Sequence, residues 1–208
     1  MSDKASRVLA VCVLLLLSIP ALAVAQSAGS PPRTVRERTR EMLSGVEDVP
    51  SADAWRRVGP SVIPVLMGLY NDQGEAFFIR ARAVSALGAF AVPEVRTFLV
   101  GVADADGQGD LMIGYAVTAL GTAFGRDAID DLRRYLAHDE PVVREAAARQ
   151  LGALGTAEAQ RSLRARLAAE PLPHVRETIQ RALRVASTTT PTGPTPTTPT
   201  GPRDGRVR

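Results

Sequence analysis

Residues 141–155 read PVVREAAARQLGALG, and the spacing of their apolar side chains decides the fold. Val143, Ala147, Leu151 and Leu154 stand at positions i, i+4, i+8 and i+11 of this stretch. That spacing places all four side chains on one stripe of an α-helix. The stretch is therefore predicted to be a helix that buries one side.

The same stripe occurs in three further stretches of the chain. These copies are anchored at Ile79, Met112 and Val175, so that the anchors, with Val143 included, are separated by 33, 31 and 32 residues. A repeat of this length indicates a stack of small helical units and not one globular core.

A second amphipathic helix is expected after each unit's first helix. The predicted second helices are residues 61–70, 94–103, 127–137 and 157–168. Residues 51–58 are interpreted as the degenerate start of the first repeat. No stretch alternates β-branched and aromatic residues with polar ones over the length of a strand. The predicted fold is all-α, an α-solenoid of about four to five helical hairpins.

Three stretches resemble a known repeat family. VREAAARQLGALG at 143–155, FIRARAVSALG at 78–88 and HVRETIQRAL at 174–183 are similar to the short HEAT-like repeat of the phycobilisome-lyase type. The resemblance covers residues 51–186. It implies a solenoid that binds other proteins along its curved surface, with the second helices on the concave side. It also implies an alternative, a chromophore-lyase-like activity.

Each of these repeats has an arginine directly after the anchor of its stripe, namely Arg80, Arg144 and Arg176. The copy anchored at Met112, which is the third repeat when residues 51–58 are counted as the start of the first, has Ile113 there. We expect the arginines to pair with loop carboxylates, such as Asp139, and so to tie neighbouring repeats together. Asp72 is a second such carboxylate. The alternative is an arginine ladder that binds an anionic partner, interrupted at the third copy.

Residues 1–25 have the layout of a secretory signal peptide. Lys4 and Arg7 precede an uncharged run over residues 8–25, and a small-residue cleavage site, AVA, ends at Ala25. The alternative is an uncleaved membrane anchor, because the run just reaches the length that spans a bilayer. The expected location is the periplasm or the medium. Cys12 is the only cysteine, so the mature chain would contain no disulfide.

Two segments flank the predicted repeat domain. Residues 26–50 are interpreted as a linker followed by a capping helix at 34–44, which would shield the first repeat. Residues 187–208 form a tract rich in threonine and proline, predicted to be disordered. This tail would serve as a spacer, as a glycosylation target, or have no dedicated role.

Charge and composition narrow the functional classes. The formal net charge is +3; the predicted signal peptide carries a net +1 and the tail +2, so residues 26–186 are balanced and nucleic acid is not an expected partner. Lys4 is the only lysine, and no Ser/His/acid pattern occurs at local spacing. We therefore expect no enzymatic activity and no cofactor. His138 and His174 lack a third ligand for a metal site.

One loop partly follows the calcium-binding loop of an EF-hand. Residues 104–111 read DADGQGDL, with candidate oxygen ligands at Asp104, Asp106, Gln108 and Asp110. The twelfth position, which should be a bidentate glutamate, is Tyr115. The favoured interpretation is a polar loop between repeats, and a calcium-binding envelope protein stays as an alternative.

The remaining candidates lie on the predicted second helices. Arginine and tyrosine are common anchors of protein interfaces. The expected partner-binding residues are Arg96, Arg133, Arg134, Tyr135 and Arg164. The leading hypothesis is an exported, non-enzymatic scaffold that binds a protein or peptide; a structural module of an envelope assembly is a further possibility.

Overall fold

The computed structural model describes residues 34–45 and 49–189. From Val35 onward these residues belong to one compact unit. The predicted signal peptide at 1–25 lies outside the described residues, as does the predicted tail from residue 190.

The described residues form helices and contain no strand. The helices are α1 (Val35–Ser44), α2 (Ala52–Val58), α3 (Ile63–Asn71), α4 (Phe77–Leu87), α5 (Pro93–Ala103), α6 (Asp110–Phe124), α7 (Ile129–Tyr135), α8 (Pro141–Leu154), α9 (Ala157–Ala169) and α10 (Pro173–Thr189). Short 3-10 turns, Pro60–Val62 and Gly125–Ala128, lead into α3 and α7. The prediction of an all-α solenoid is confirmed. None of the described helices has the length and apolar character needed to cross a membrane.

Helix ends follow the chemistry of the sequence. The Ser51 hydroxyl accepts a hydrogen bond from the amide of Ala54 (3.2 Å) at the start of α2, and the Thr156 hydroxyl caps α9 in the same way. Proline opens α5, α8 and α10, where its missing N–H has no helical partner. Gly155 ends α8 in the left-handed conformation, with φ at 65°.

The last helix runs past the predicted start of the tail at residue 187. The hydroxyl of Ser187 donates to the carbonyl of Leu183 (2.9 Å), and that of Thr188 donates to the carbonyl of Val185 (2.7 Å). The first residues of the tract therefore continue α10 to Thr189.

The repeats stack in two layers. We call α4, α6, α8 and α10 the first helices, and α3, α5, α7 and α9 the second helices. The anchors of the four stripes are all buried, at 0% to 1% exposure: Ile79, Met112, Val143 and Val175. Successive first helices pack against one another far more extensively than successive second helices do. The first helices are thus the closely spaced layer.

Glycine near the end of a first helix permits this close spacing. A Cβ atom added to Gly152 of α8 would lie 2.8 Å from the backbone Cα and carbonyl oxygen of Ala182 in α10. At Gly121 of α6 the added atom would lie 2.6 Å to 2.7 Å from the side chain of Gln150. The backbone of α10 cannot yield as a flexible side chain does, so Gly152 is the stricter requirement.

We predict opposite effects for two glycine-to-alanine changes. Gly152→Ala should lower the free energy of unfolding by about 1–3 kcal/mol, because the methyl group pushes α8 and α10 apart. Gly101→Ala is the control: it lies inside α5 with no atom within 4 Å of the added Cβ, and should leave stability unchanged or raise it by up to about 1 kcal/mol. Urea denaturation measures both. Equal stability of the two variants would contradict the packing argument.

Candidate protein-interaction surfaces

The predicted interface residue Arg96 is occupied within the chain. Its guanidinium donates to the carboxylate of Asp131 at 2.8 Å and 3.1 Å, and to the carbonyl of Asp127 at 3.0 Å. These bonds join α5 to the turn before α7 and to α7 itself. Arg96 therefore holds two second helices together.

Tyr135 is buried, with 2% of its surface exposed. Its hydroxyl donates to Asp104 at 2.9 Å, and Arg134 donates both to the same carboxylate (2.9 Å) and to the Tyr135 oxygen (2.8 Å). Burial, followed by the hydrogen bond to Asp104, raises the pKa of Tyr135. The prediction that Tyr135 contacts a partner is wrong, because the ring packs in the core and the hydroxyl is bonded internally.

Arg133 and Arg164 lie on the exposed side of the second helices. Arg133 pairs with Asp130 one turn before it and approaches Glu158 of α9 at 3.7 Å. Arg164 donates to the side chain of Gln160 at 3.0 Å. Their involvement in an interface stays a prediction.

Two of the four candidate calcium ligands, Asp104 and Gln108, are hydrogen-bonded to other side chains. Both carboxylate oxygens of Asp104 are bonded to Arg134 and Tyr135, and the amide of Gln108 donates to the Tyr70 hydroxyl. Asp110 starts α6. Over residues 34–45 and 49–189, no three His, Cys, Asp or Glu side chains are grouped so as to hold a metal ion. The EF-hand arrangement of Asp104, Asp106, Gln108 and Asp110 is not formed.

All three recurrent arginines bind backbone carbonyls at the ends of second helices. The carboxylates of Asp72 and Asp139 are not their partners, although Arg144 also binds another loop carboxylate, that of Glu170. The bonds run from Arg80 to Tyr70 (2.8 Å), from Arg144 to His138 (2.9 Å) and Asp139 (2.6 Å), and from Arg176 to Glu170 (3.3 Å). The carbonyls at a helix C-terminus carry partial negative charge, which a guanidinium complements. Asp72 pairs instead with Arg36 of α1, at 2.6 Å. In the third copy, Ile113 is buried.

Arg144 also takes part in a buried ion cluster. It makes two hydrogen bonds to the carboxylate of Glu170, at 2.8 Å and 2.9 Å, and Arg166 adds a third at 2.9 Å. The Glu170 side chain is 0% exposed. Burial alone would raise the pKa of Glu170, but the bonds from Arg144 and Arg166 outweigh it and lower the pKa to about 2. This cluster is structural and joins α8 to the end of α9.

A row of three adjoining grooves follows the exposed side of the first helices, which we call the first-helix face. The grooves measure about 410, 200 and 420 Å³. Tyr115 lines the first and second grooves, and Arg149 lines the second and third. The face is therefore continuous from α4 to α10.

Large apolar side chains stand exposed on this face. Leu111 is 59% exposed, Val185 50% and Tyr115 42%, and each of them lines a groove. Phe78, at 50% exposure, lies against Arg82. This surface was not predicted from the sequence, because the repeated apolar stripe marks the buried side of each first helix. One sequence feature could have indicated it. An apolar residue directly precedes three of the four anchors of the buried stripe: Phe78, Leu111 and Val142.

Comparison with known proteins bears on the identity of the repeats. Residues 112–184 match the family model described as HEAT repeats. The matched residues are HEAT-like repeats, as the sequence predicted. HEAT repeats are generally scaffolds for protein interaction, which supports the coarse prediction of a protein-binding surface. No curated protein matches the chain.

One similar solved structure is that of human deoxyhypusine hydroxylase in complex with glycerol. The identity is 26% and the TM-score 0.50, over 61% of this HEAT-like chain and 43% of the hydroxylase chain. This chain thus spans less than half of the hydroxylase. The similarity contradicts the expectation that the protein is not an enzyme. That expectation relied on local spacing, whereas a solenoid can assemble a site from separate repeats.

We predict that Glu170 makes folding sensitive to acid. Its pKa is 4.5 unperturbed and about 2 in the folded chain, so its contribution to stability is fully present above about pH 5 and is lost as the pH falls toward 2. The contribution is about 3 kcal/mol at most. Urea denaturation at a series of pH values should show this loss in the wild-type chain.

Glu170→Gln should lower stability at pH 7 by about 3 kcal/mol or more, because it leaves Arg144 buried without an anion. It should also flatten the pH dependence. Glu177→Gln, which changes an exposed glutamate of α10, is the matched control and should behave like the wild type. A variant at position 170 that keeps the wild-type pH dependence would refute the assignment.

Proposed function

We propose that this protein is an exported scaffold that binds a polypeptide partner along the first-helix face. The supporting observation is the row of three connected grooves with large apolar side chains exposed beside them. Large exposed apolar side chains grouped on one surface are typical of sites that bind another molecule. Tyr115 and Arg149, which each border two grooves, are of the residue types that anchor protein interfaces.

The packing of the repeats also favours this face over the second helices. Successive first helices make more extensive contacts with one another than successive second helices do, so the first helices form a continuous layer. A partner lying along that layer would touch several repeats at once. Arg133 and Arg164 on the second helices are the residues of the competing surface.

The test uses a photo-crosslinking amino acid at single positions. At Tyr115, irradiation should yield an adduct with a discrete partner, because the side chain is exposed in the middle of the face. The control position is Glu94, exposed on α5, and Arg164 tests the second-helix surface. Denaturing gels of envelope fractions and of medium give the readout.

An adduct at Tyr115 that Leu111→Asp abolishes, without a change in thermal unfolding, would support the first-helix face. Leu111 borders the same groove as Tyr115. The carboxylate introduced by Leu111→Asp would have to lose its water when the partner binds, and this desolvation weakens binding. Adducts at Arg164 and none at Tyr115 would assign binding to the second helices instead.

Export is supported by the basic head, the uncharged run and the AVA site at the start of the chain. We predict that the chain recovered from the periplasm or the medium begins at Gln26. Mass spectrometry of its N-terminal peptide measures this. Recovery of membrane-bound chain with the first 25 residues intact would indicate the uncleaved anchor.

The similarity to deoxyhypusine hydroxylase favours a second candidate, a hydroxylase activity. It is compatible with binding, since an enzyme of this architecture would also have to hold its substrate. Hydroxylation would take one oxygen atom from dioxygen and, with two electrons from an added reductant, release the other as water. With both supplied, mass spectrometry of molecules captured at Tyr115 would reveal the gain of an oxygen atom. Captured molecules that stay unmodified in the presence of active cell extract would count against this candidate.

A further inference from the structure

A fourth groove, separate from the first-helix face, lies between α7 and α9. It measures about 490 Å³, and we call it the α7–α9 groove. Leu136 and Ala165 contribute to its apolar lining, and Arg133, Arg161, Arg166 and Glu158 also line it. None of these residues takes part in the three grooves of the first-helix face.

The sequence explains why this groove stays open. The helix α7 contains only 7 residues, because a 3-10 turn, Gly125–Ala128, occupies the start of the segment. On the opposite side, α9 presents small alanine side chains such as Ala165 and Ala169. Two second helices with so little side-chain volume between them cannot close the gap, although the first helices behind them are tightly packed.

The charged groups around the groove are predominantly positive. Three guanidinium groups face a single carboxylate, that of Glu158. Arg166 is bonded at 2.8 Å to the buried Glu170, whose carboxylate it shares with Arg144. The side chain of Arg161 is exposed and makes no hydrogen bond or ion pair with any other described residue.

Arg133 is held only by exposed partners. Asp130 is 78% exposed and Glu158 is 47% exposed, the latter at 3.7 Å. Exposed ion pairs of this kind contribute about 1 kcal/mol or less, so an incoming carboxylate can replace them. Arg133 and Arg161 thus form a pair of cations beside an apolar floor.

We propose that the α7–α9 groove binds an acidic segment of a partner polypeptide, with an aliphatic side chain on the apolar floor and carboxylates on Arg133 and Arg161. The chain's own C-terminal segment is a poor occupant. It carries Arg203, Arg206 and Arg208 against a single Asp204, and like charges would oppose its entry. The inference rests on the proposed function, since it assumes a polypeptide partner, but it uses a different surface.

The test is binding of a fluorescein-labelled peptide of alternating leucine and glutamate to the full chain, measured by fluorescence polarisation. We expect saturable binding that weakens as salt is added, because exposed charge pairs are screened. A peptide of alternating leucine and lysine should not bind. A peptide of alternating serine and glutamate should bind at least about tenfold more weakly, since it lacks the apolar contact.

Arg161→Glu and Arg133→Glu should each weaken binding by about tenfold or more, whereas Arg57→Glu should change it by less than about twofold. Arg57 is exposed on α2, in the first repeat, and is remote in the chain from the groove. Arg57→Glu is therefore a control that makes the same change of charge away from the groove. Because Arg161 has no internal partner to lose, its replacement should leave thermal unfolding unchanged. That measurement separates lost binding from lost folding.

Several results would overturn the inference. They are absence of saturable binding, equal binding of the lysine peptide, and unchanged binding by Arg161→Glu. Displacement of the peptide by phosphatidylglycerol vesicles, with the same dependence on Arg161, would replace the acidic peptide with a membrane surface. A discrete adduct at Tyr115 together with no peptide binding would leave the proposed function standing and reject this groove alone.

Discussion

The close contact between successive first helices is the constraint on which the stack depends. Where Gly152 of α8 meets Ala182 of α10, there is no room for even one methyl group. Close backbone approach brings the buried stripes of neighbouring repeats together, and each repeat is too small to bury its stripe alone. Every groove described above lies on one side or the other of this layer.

Buried and half-buried arginines hold the ends of the second helices to this layer. Arg144 binds the carbonyls after α7 and the carboxylate after α9, so one side chain fastens two connections. The equivalent residue in the preceding repeat is Ile113, which is buried among apolar side chains. There, the cluster of Asp104, Arg134 and Tyr135 supplies the polar bonds between second helices. In the repeat that has Ile113 in place of the arginine, a network of other polar side chains thus makes the bonds between second helices.

These constraints divide the surface into two kinds. The first-helix face is long and exposes apolar side chains, and it suits a partner that spans several repeats. The second helices, which are in less contact with one another, leave a short basic groove between α7 and α9. A HEAT-like stack can also assemble an enzyme, as the similar hydroxylase shows. Function in such a chain therefore depends on exposed side chains that do not belong to the repeated buried stripe.

The sequence by itself determined the all-α repeat fold, because the apolar stripe anchored at Ile79, Met112, Val143 and Val175 is a local property with a constant period. The helix ends at Ser51, Thr156 and the prolines were local in the same sense. Only the tertiary structure decided that Tyr135 is buried while Tyr115 and Arg161 are exposed. The reason is physical: a polar or aromatic residue faces solvent or core according to how closely neighbouring helices pack, and that spacing is set between repeats, not within one.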